Sequence, residues 1–313
     1  MPLAACVALS SALHAQGLPL HEPLNPTAAA RSGVYAQPYV TFSPERWRVS
    51  VTTAYGNAIE SESSRGASYL LDAEVSRTTF AVTRDLSAAH FLRVDAAITG
   101  AYSGFADGFF AAYHRLIHYT QPERLARPPN TFAYDLSLPG GPRISRSRYA
   151  VAAGDVRVTL GIRHSRKLQS VLSVTAPSAT GPAGYGRGTF SLSTIHTVLL
   201  PLSSRIAWES TLGAGVTPRH GPLAPFQRAL FGSASSGLRL RLWGAESAYG
   251  YLFYHTPYYH STTLASLDRR ELTGDFGWIH QGRAGRAWYV GLGEDFGSGD
   301  AGIDLVLKVG MSW

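Results

Sequence analysis

The stretch Ile303-Asp304-Leu305-Val306-Leu307-Lys308-Val309-Gly310-Met311-Ser312-Trp313 decides the fold. Ile303, Leu305, Leu307, Val309, Met311 and Trp313 are apolar. Asp304, Val306, Lys308, Gly310 and Ser312, lying between them, are mostly small or charged. A period of two is the pattern of a strand with one greasy face and one wet face. A soluble domain can show it once. A transmembrane barrel repeats it on every strand, because the outer face meets lipid and the inner face meets water or packed polar side chains.

The pattern recurs along the chain. Trp47, Val49, Val51 and Tyr55 alternate with Arg48, Ser50, Thr52 and Ala54. Leu71, Ala73 and Val75 alternate with Asp72, Glu74 and Ser76; the apolar phase then switches to Phe80 and Val82, which predicts a bulge. Leu92, Val94, Ala96 and Ile98 stand opposite Arg93, Asp95, Ala97 and Thr99. Further on, Val156 to Ile162 oppose Asp155 to Arg163, Trp208 to Val216 oppose Glu209 to Gly215, and Leu238 to Leu242 oppose Arg239 and Arg241. Tyr249, Tyr251 and Phe253 form the next apolar row. Leu272, Phe276 and Trp278 oppose Asp275, and Trp288 to Phe296 oppose Tyr289 to Asp295. The apolar rows are expected to face lipid.

Short joins at 87–88, 165–167, 201–204 and 244–245 interleave with longer ones near 58–67, 178–188, 218–226 and 258–269. Outer-membrane barrels have short periplasmic turns and longer loops outside. A soluble β-sandwich would have to bury Arg, Asp and Glu from many strands in a dry core, or cover every apolar face with a second sheet. The expected fold is therefore all-β: an up-and-down antiparallel transmembrane barrel over residues 46–313. The strand count is about 12, or 14 if the hairpin at 131–152 also spans.

Composition agrees. Of 313 residues, 45% are hydrophobic and 16% charged, and no apolar run reaches the roughly 20 residues a spanning helix needs. The net charge of +7 comes without a recognition-helix or zinc-finger pattern, which argues against nucleic acid. Cys6 has no intrachain partner. Leu3-Ala4-Ala5-Cys6 resembles a lipobox, but only two residues precede it; the simpler reading is a signal peptide over 1–15 with cleavage near Ala15. Residues 16–45, rich in proline and alanine, read as a periplasmic lead-in.

The segment 103–153 breaks the alternation. Phe105, Phe109, Phe110, Tyr113, Leu116 and Ile117 fit helical spacing, and Pro122, Pro128 and Pro129 end that helix. Arg115, Arg124, Arg127, Arg143, Arg146 and Arg148 make the segment cationic. It is too long and too apolar for an ordinary loop. It is expected to form a helical cap over the extracellular mouth, built on Phe105, Asp107, Phe109, His114, Arg115, His118 and Arg124. Such a cap would touch anionic outer-membrane lipid, lipopolysaccharide or an anionic solute. His114 and His118, at i and i+4 with Asp107 nearby, have metal-binding spacing but no third strong ligand, so no metal site is assigned.

Ser103-Gly104-Phe105-Ala106-Asp107-Gly108-Phe109, His114, Arg124 and Gly154-Asp155 resemble an uncharacterised bacterial family, domain of unknown function 3187. Ala176-Pro177-Ser178-Ala179-Thr180-Gly181 looks like that family's Lys-Leu-Pro-Thr-Gly box, though it lacks the lysine and carries an insertion. Glu294-Asp295 and Asp304 look like its closing strands. The resemblance spans most of the chain after residue 25. It implies an outer-membrane barrel and brings no activity or catalytic residues.

Enzymatic motifs are weak. His164-Ser165 and His260-Ser261 are adjacent and would point to opposite faces of a strand. Gly184-Tyr185-Gly186-Arg187-Gly188 lacks the strand–turn–helix context of a nucleotide loop, and Gly297-Ser298-Gly299-Asp300 reads as a hairpin turn. No cofactor is implied. The expected lumen is lined by Arg48, Arg93, Asp95, Arg157, Arg163, Glu209, Arg239, Arg241 and Asp275. Such a lumen suits a passive channel or transporter for small solutes. It also suits a structural barrel packed shut by salt bridges; a lipid-modifying enzyme is a third reading. Leu305–Trp313 resembles the C-terminal signal read by the barrel-assembly machinery, and the expected location is the bacterial outer membrane.

Overall fold

A computed structural model of the protein describes residues 19–35, 37–43, 47–116, 118, 124, 126–282, 285–296 and 305–313. The signal peptide and Cys6, Ile117, Pro122, the 297–300 turn, Ile303 and Asp304 lie outside the described residues.

The strands are β1 (Trp47–Ser64), β2 (Ala67–Asp85), β3 (His90–Tyr102), β4 (Ala133–Ser137), β5 (Arg143–Ser145), β6 (Tyr149–Ala153), β7 (Val156–Arg163), β8 (Leu168–Ala176), β9 (Ser191–Pro201), β10 (Ile206–Val216), β11 (Leu230–Trp243), β12 (Glu246–His255), β13 (Glu271–Gln281), β14 (Ala287–Asp295) and β15 (Leu305–Ser312). Among the described residues three α-helices accompany them, α1 (Pro26–Ala29), α2 (Asp107–Leu116) and α3 (Ala265–Asp268), with a 3-10 turn at Ala224–Phe226. All strand pairs are antiparallel. The order runs from β2 through β1 to β15 and back through β14 to β7 and β3, and β2 pairs with β3. The sheet therefore closes on itself. Trp313 donates to and accepts from the backbone of Val49, extending the closing seam between β15 and β1. A closed ladder satisfies every backbone group that faces hydrocarbon, which is why the chain needs no spanning helix.

Twelve strands make the barrel, and the hairpin at 131–152 adds none. β4 pairs with the outer end of β2, β5 pairs with β4, and β6 continues β7 along β3. Leu92, Val94 and Ile98 project outward from β3, while Asp95 and Ala97 are buried inside. The same parity holds on β7, β8, β10, β11 and β14, where the outer positions are apolar and exposed. Trp47, Trp288 and Trp313 ring the rim with short turns, the periplasmic side of such a barrel.

Three expectations are corrected. First, β1 and β2 pair without a register shift from Trp47↔Arg84 to Ser64↔Ala67, so no bulge separates Val75 from Phe80. The apolar side changes because the surroundings change. Low on β2, Phe80 and Val82 face lipid. Higher up, Tyr69, Leu71 and Ala73 face inward into an apolar cluster, and Asp72 and Glu74 face outward under another part of the chain. Second, Tyr249, Tyr251 and Phe253 point into the barrel, not into lipid; Leu252 and Tyr254 form the outer row of β12. Third, residues 58–67 are not a loop. They are the extended hairpin of β1 and β2, turned at Arg65 and Gly66, both at positive φ.

Candidate functional site

The lumen is the site, and it is occupied by the chain's own N-terminal segment. Residues 19–43 do not lie in the periplasm as expected. Their backbone runs between the walls of the barrel, and the segment carries buried Leu24, Ala28, Val34, Tyr35, Tyr39 and Val40. This segment has apolar side chains to bury, and among its described residues only His21 makes a β-bridge. The barrel interior supplies both apolar contacts and hydrogen-bond partners.

The path can be followed by its contacts. His21 stacks on Phe253 at 4.0 Å and lies 3.5 Å from Glu271. Glu22 takes hydrogen bonds from Arg77 at 2.9 Å and Thr79 at 2.8 Å, and lies 3.4 Å from Arg157. Asn25 caps α1 and donates to Glu60 at 3.1 Å. Arg31 reaches the extracellular end, donating to the carbonyls of Thr217, Pro218 and Arg228 at 2.8–2.9 Å. The chain then descends. Arg187 donates to Ser32 O, Thr197 to Gln37 O, and Gln169 brackets Pro38 O and Val40 N. Arg163 donates to Val40 O at 2.6 Å and Thr41 O at 3.3 Å, and Ser43 N donates to Asp85.

On the descending part, from Ser32 to Ser43, these bonds join barrel side chains to plug backbone. The plug is therefore positioned without being woven into the sheet. It also fits a notch. A Cβ at Gly213 or Gly215 would come within 2.5 or 2.6 Å of the Val34 side chain. Any residue larger than glycine there pushes Val34 out.

The sector from β12 to β15 closes by a second device. Tyr249, Tyr251, Phe253, Ile279 and Tyr289 form an inward cluster. A Cβ at Gly291 would sit 2.0 Å from the Tyr249 hydroxyl, so the ring lies flat on the wall only because that position is glycine. Tyr249 donates to Asp275 at 2.9 Å, and Lys308 pairs with the same carboxylate. Two small voids lie inside among the described residues. One void of about 20 Å³ lies between Tyr149, Gly154 and Arg187, and one of about 10 Å³ lies by Glu22, Asp95 and Arg157. Each suits about one water.

All nine expected lumen residues stand on the inner face. Arg48 and Arg163 share Asp85; Arg93 and Arg157 share Asp95. Asp275 holds Lys308, and Arg239 is within electrostatic reach of Glu209. Arg241 shares the inner face through its register with buried Ser247. Sequence reading missed their partners on the plug, and it missed Arg187, which is buried between Asp155 and Ser32 O in the loop after β8. Burial pushes the Arg187 guanidinium down to about 10, so it stays charged at neutral pH and needs both partners.

The described residues of 103–131 do not form a cap over the mouth. α2 lies against the outer wall, across β2, β1 and β14. Asp107, Phe110 and His114 face the wall. Asn57 donates to Asp107 at 3.2 Å, and His114 lies 3.4 Å from Glu294. Glu74 accepts from the amides of Phe105 at 3.0 Å and Ala106 at 2.6 Å, and from Tyr55. Gly104, at φ +73, leaves the space that Glu74 fills. Asp72 receives Arg124 at 3.3 Å, Thr131 at 2.7 Å, and Arg127. The physical reason is in β2 itself. Its outward carboxylates could not meet lipid bare, and the arginines and amides of this segment cover them. His118 follows α2 at φ +57, so His114 and His118 are not stacked on one continuous helix. Phe109, Arg115 and Leu116 are exposed on the side away from the wall, and Phe105, just before α2, is exposed with its ring 5.7 Å from that of Tyr55. Replacing Asp72 with leucine removes the shared partner of Arg124 and Arg127. Trypsin is then expected to cut at Arg115 or Arg124 at least about tenfold faster than in the intact protein, while the barrel keeps its heat-modifiable gel shift. Equal cutting rates would show that this carboxylate does not hold the segment.

One polar group on the outer wall was hidden from sequence reading. Ser170 lies 2.8 Å from both His164 Nε2 and His196 Nδ1. It pairs with His196 across β8 and β9, 26 residues apart, so no local motif could reveal it.

Fold and lumen together define a class: a transmembrane β-barrel of the bacterial outer-membrane type, closed by its own N-terminal segment. The chain matches no protein family and no curated protein sequence. Among solved structures it is similar to the COG4313 outer membrane channel from Pseudomonas putida F1, with a TM-score of 0.55 and 12% identity over 87% of this chain and 96% of that one. It is also similar to a Pseudomonas aeruginosa FadL homologue, with a TM-score of 0.42 and 6% identity over 95% and 97%. A third similar structure is the Pseudomonas putida toluene transporter TodX, with a TM-score of 0.40 and 7% identity over 87% and 89%.

Proposed function

We propose that the protein is a channel or transporter for small solutes across the outer membrane, gated by residues 19–43. The carrying observation is how the plug is held. Barrel arginines, Gln169 and Thr197 grip its backbone by hydrogen bonds, and among the described residues no β-strand of the segment joins the wall. Those lumen groups can exchange plug carbonyls for water or solute when the plug moves. The Pseudomonas putida F1 structure, described as an outer membrane channel, supports this reading through its shared fold. No enzymatic role is proposed: the contacts of Ser170 include two histidines and no carboxylate to orient either of them. We also keep the kinship with domain of unknown function 3187 as a proposal, on the motif at 103–109. A second reading, a non-conducting structural barrel, is favoured by the smallness of these two voids.

A reversible tether separates the two. In a Cys6→Ser background, Val34→Cys and Gly213→Cys place two thiols across the notch, within the reach of a disulfide. The oxidised protein is expected to block solute entry in a liposome-swelling assay, and reductant is expected to restore it. Equal swelling in both forms would remove the plug as gate. No swelling in either form, together with none from the untethered protein, would favour the structural barrel.

A further inference from the structure

We propose that α2 is a membrane-interface helix that rests on the acyl chains of the outer leaflet and holds the barrel at a set depth. The first observation is its apolar stripe. Phe105, Phe109 and Leu116 are 78%, 52% and 78% exposed, and exposed Ala112 completes the spacing on the same side. Positions 109, 112 and 116 of α2 fall on one helical face, and exposed Phe105 lies just before the helix. The opposite face, Asp107, Phe110 and His114, is buried against the barrel. The stripe therefore points away from the protein, where a water-exposed helix would carry polar residues.

The second observation is height. From Trp313 at the periplasmic rim to Leu305 under the α2 sector is eight residues of strand, which on a tilted strand rise roughly 20 Å. Outer-membrane barrels carry an apolar band about 25 Å tall. α2 thus lies near the upper edge of that band. Below it, exposed Val290, Val309 and Met311 continue the same surface downward. The stripe is continuous with the lipid-facing wall, and its neighbours on that wall leave lipid as its occupant. Arg115 is exposed beside Leu116, and interfacial helices carry such cations for the headgroups.

The third observation is the seat. Asp72, Glu74 and Asp107 are 2%, 1% and 4% exposed, although they lie on the outward side of the wall or on the helix that covers it. Their ligands are Arg124, Arg127 and the amides that begin the α2 segment. The polar seat fixes the helix laterally, and the stripe faces bilayer.

Depth-dependent fluorescence quenching tests this in the whole chain. In a Cys6→Ser background, one bimane label is placed at Phe109→Cys or Leu116→Cys, and a control label at Arg219→Cys in an extracellular loop. The protein is reconstituted into phosphatidylcholine vesicles carrying lipid spin-labelled near the headgroup. The expected result is strong quenching by the spin-labelled lipid at 109 and 116, little quenching there by aqueous iodide, and the reverse at 219. If iodide quenches 109 and 116 as well as 219, and the lipid label quenches none of them, α2 stands in water and the proposal is overturned. The heat-modifiable gel shift of each labelled variant confirms a folded barrel before quenching is read.

Discussion

A chain with residues 19–43 deleted conducts continuously in planar bilayers, where the intact chain shows only brief openings. The expectation follows from what fills the lumen. Barrels of about eight strands are filled by their own side chains, and those of 16–18 leave an aqueous channel. Twelve strands lie between. Here the β12–β15 sector is closed by tyrosines, and the remainder is closed by the plug. Removing the plug takes His21 from Glu271, which keeps Tyr258 and meets the water that enters the lumen. Arg163 keeps Asp85, Arg157 keeps Asp95 and Arg187 keeps Asp155, while water replaces Glu22 at Arg77. The ladder that closes the barrel does not include the plug, so the deletion variant should keep its heat-modifiable shift. Open-time fraction should rise on the order of tenfold or more, since the polar lining then meets water along its length. An intact gel shift with no gain in conductance would mean that the tyrosine sector and loops close the barrel unaided.

The second large effect is on stability. Lys308 and Asp275 are paired on the inner wall, 4% and 1% exposed, with Tyr249 as the other donor to the carboxylate. Lys308→Met leaves a buried carboxylate facing only neutral phenols, Tyr249 first among them. Breaking a buried pair from one side costs about 3–5 kcal/mol, because the remaining charge stays desolvated. Urea unfolding in detergent micelles should show a lower midpoint with an unchanged slope. Adding Asp275→Asn should restore most of the loss, since the neutral amide no longer needs a cation. A loss below about 1 kcal/mol for Lys308→Met would place water at this pair and make it equivalent to an exposed one.

Much of the wall was legible because alternation is a local property. Leu92, Val94 and Ile98 face lipid because each strand residue turns its side chain opposite to the next. The same rule put Arg93, Asp95, Arg157 and Arg163 inside. It misled where the outside ceased to be lipid. On the upper part of β2, Leu71 turns inward to an apolar cluster and Asp72 turns outward to Arg124 and Arg127. On β12, Tyr249 and Tyr251 turn inward over glycines of the neighbouring strands. Polarity reports the medium a side chain meets, and the medium at these positions is another part of the chain.

The sequence by itself determined a closed antiparallel barrel of about 12 strands, the side of the wall that most residues take, and a helix within 103–153. Those features depend on neighbours one to four residues apart. Only the tertiary structure decided that residues 19–43 fill the lumen and that α2 lies on the outer wall. Both depend on contacts between distant residues: Arg31 with Thr217 and Arg228, Val34 with Gly213, Asp72 with Arg124. No periodicity records such pairs, because a proline-rich stretch has the same composition whether its backbone is hydrated in the periplasm or hydrogen-bonded to arginines inside a barrel.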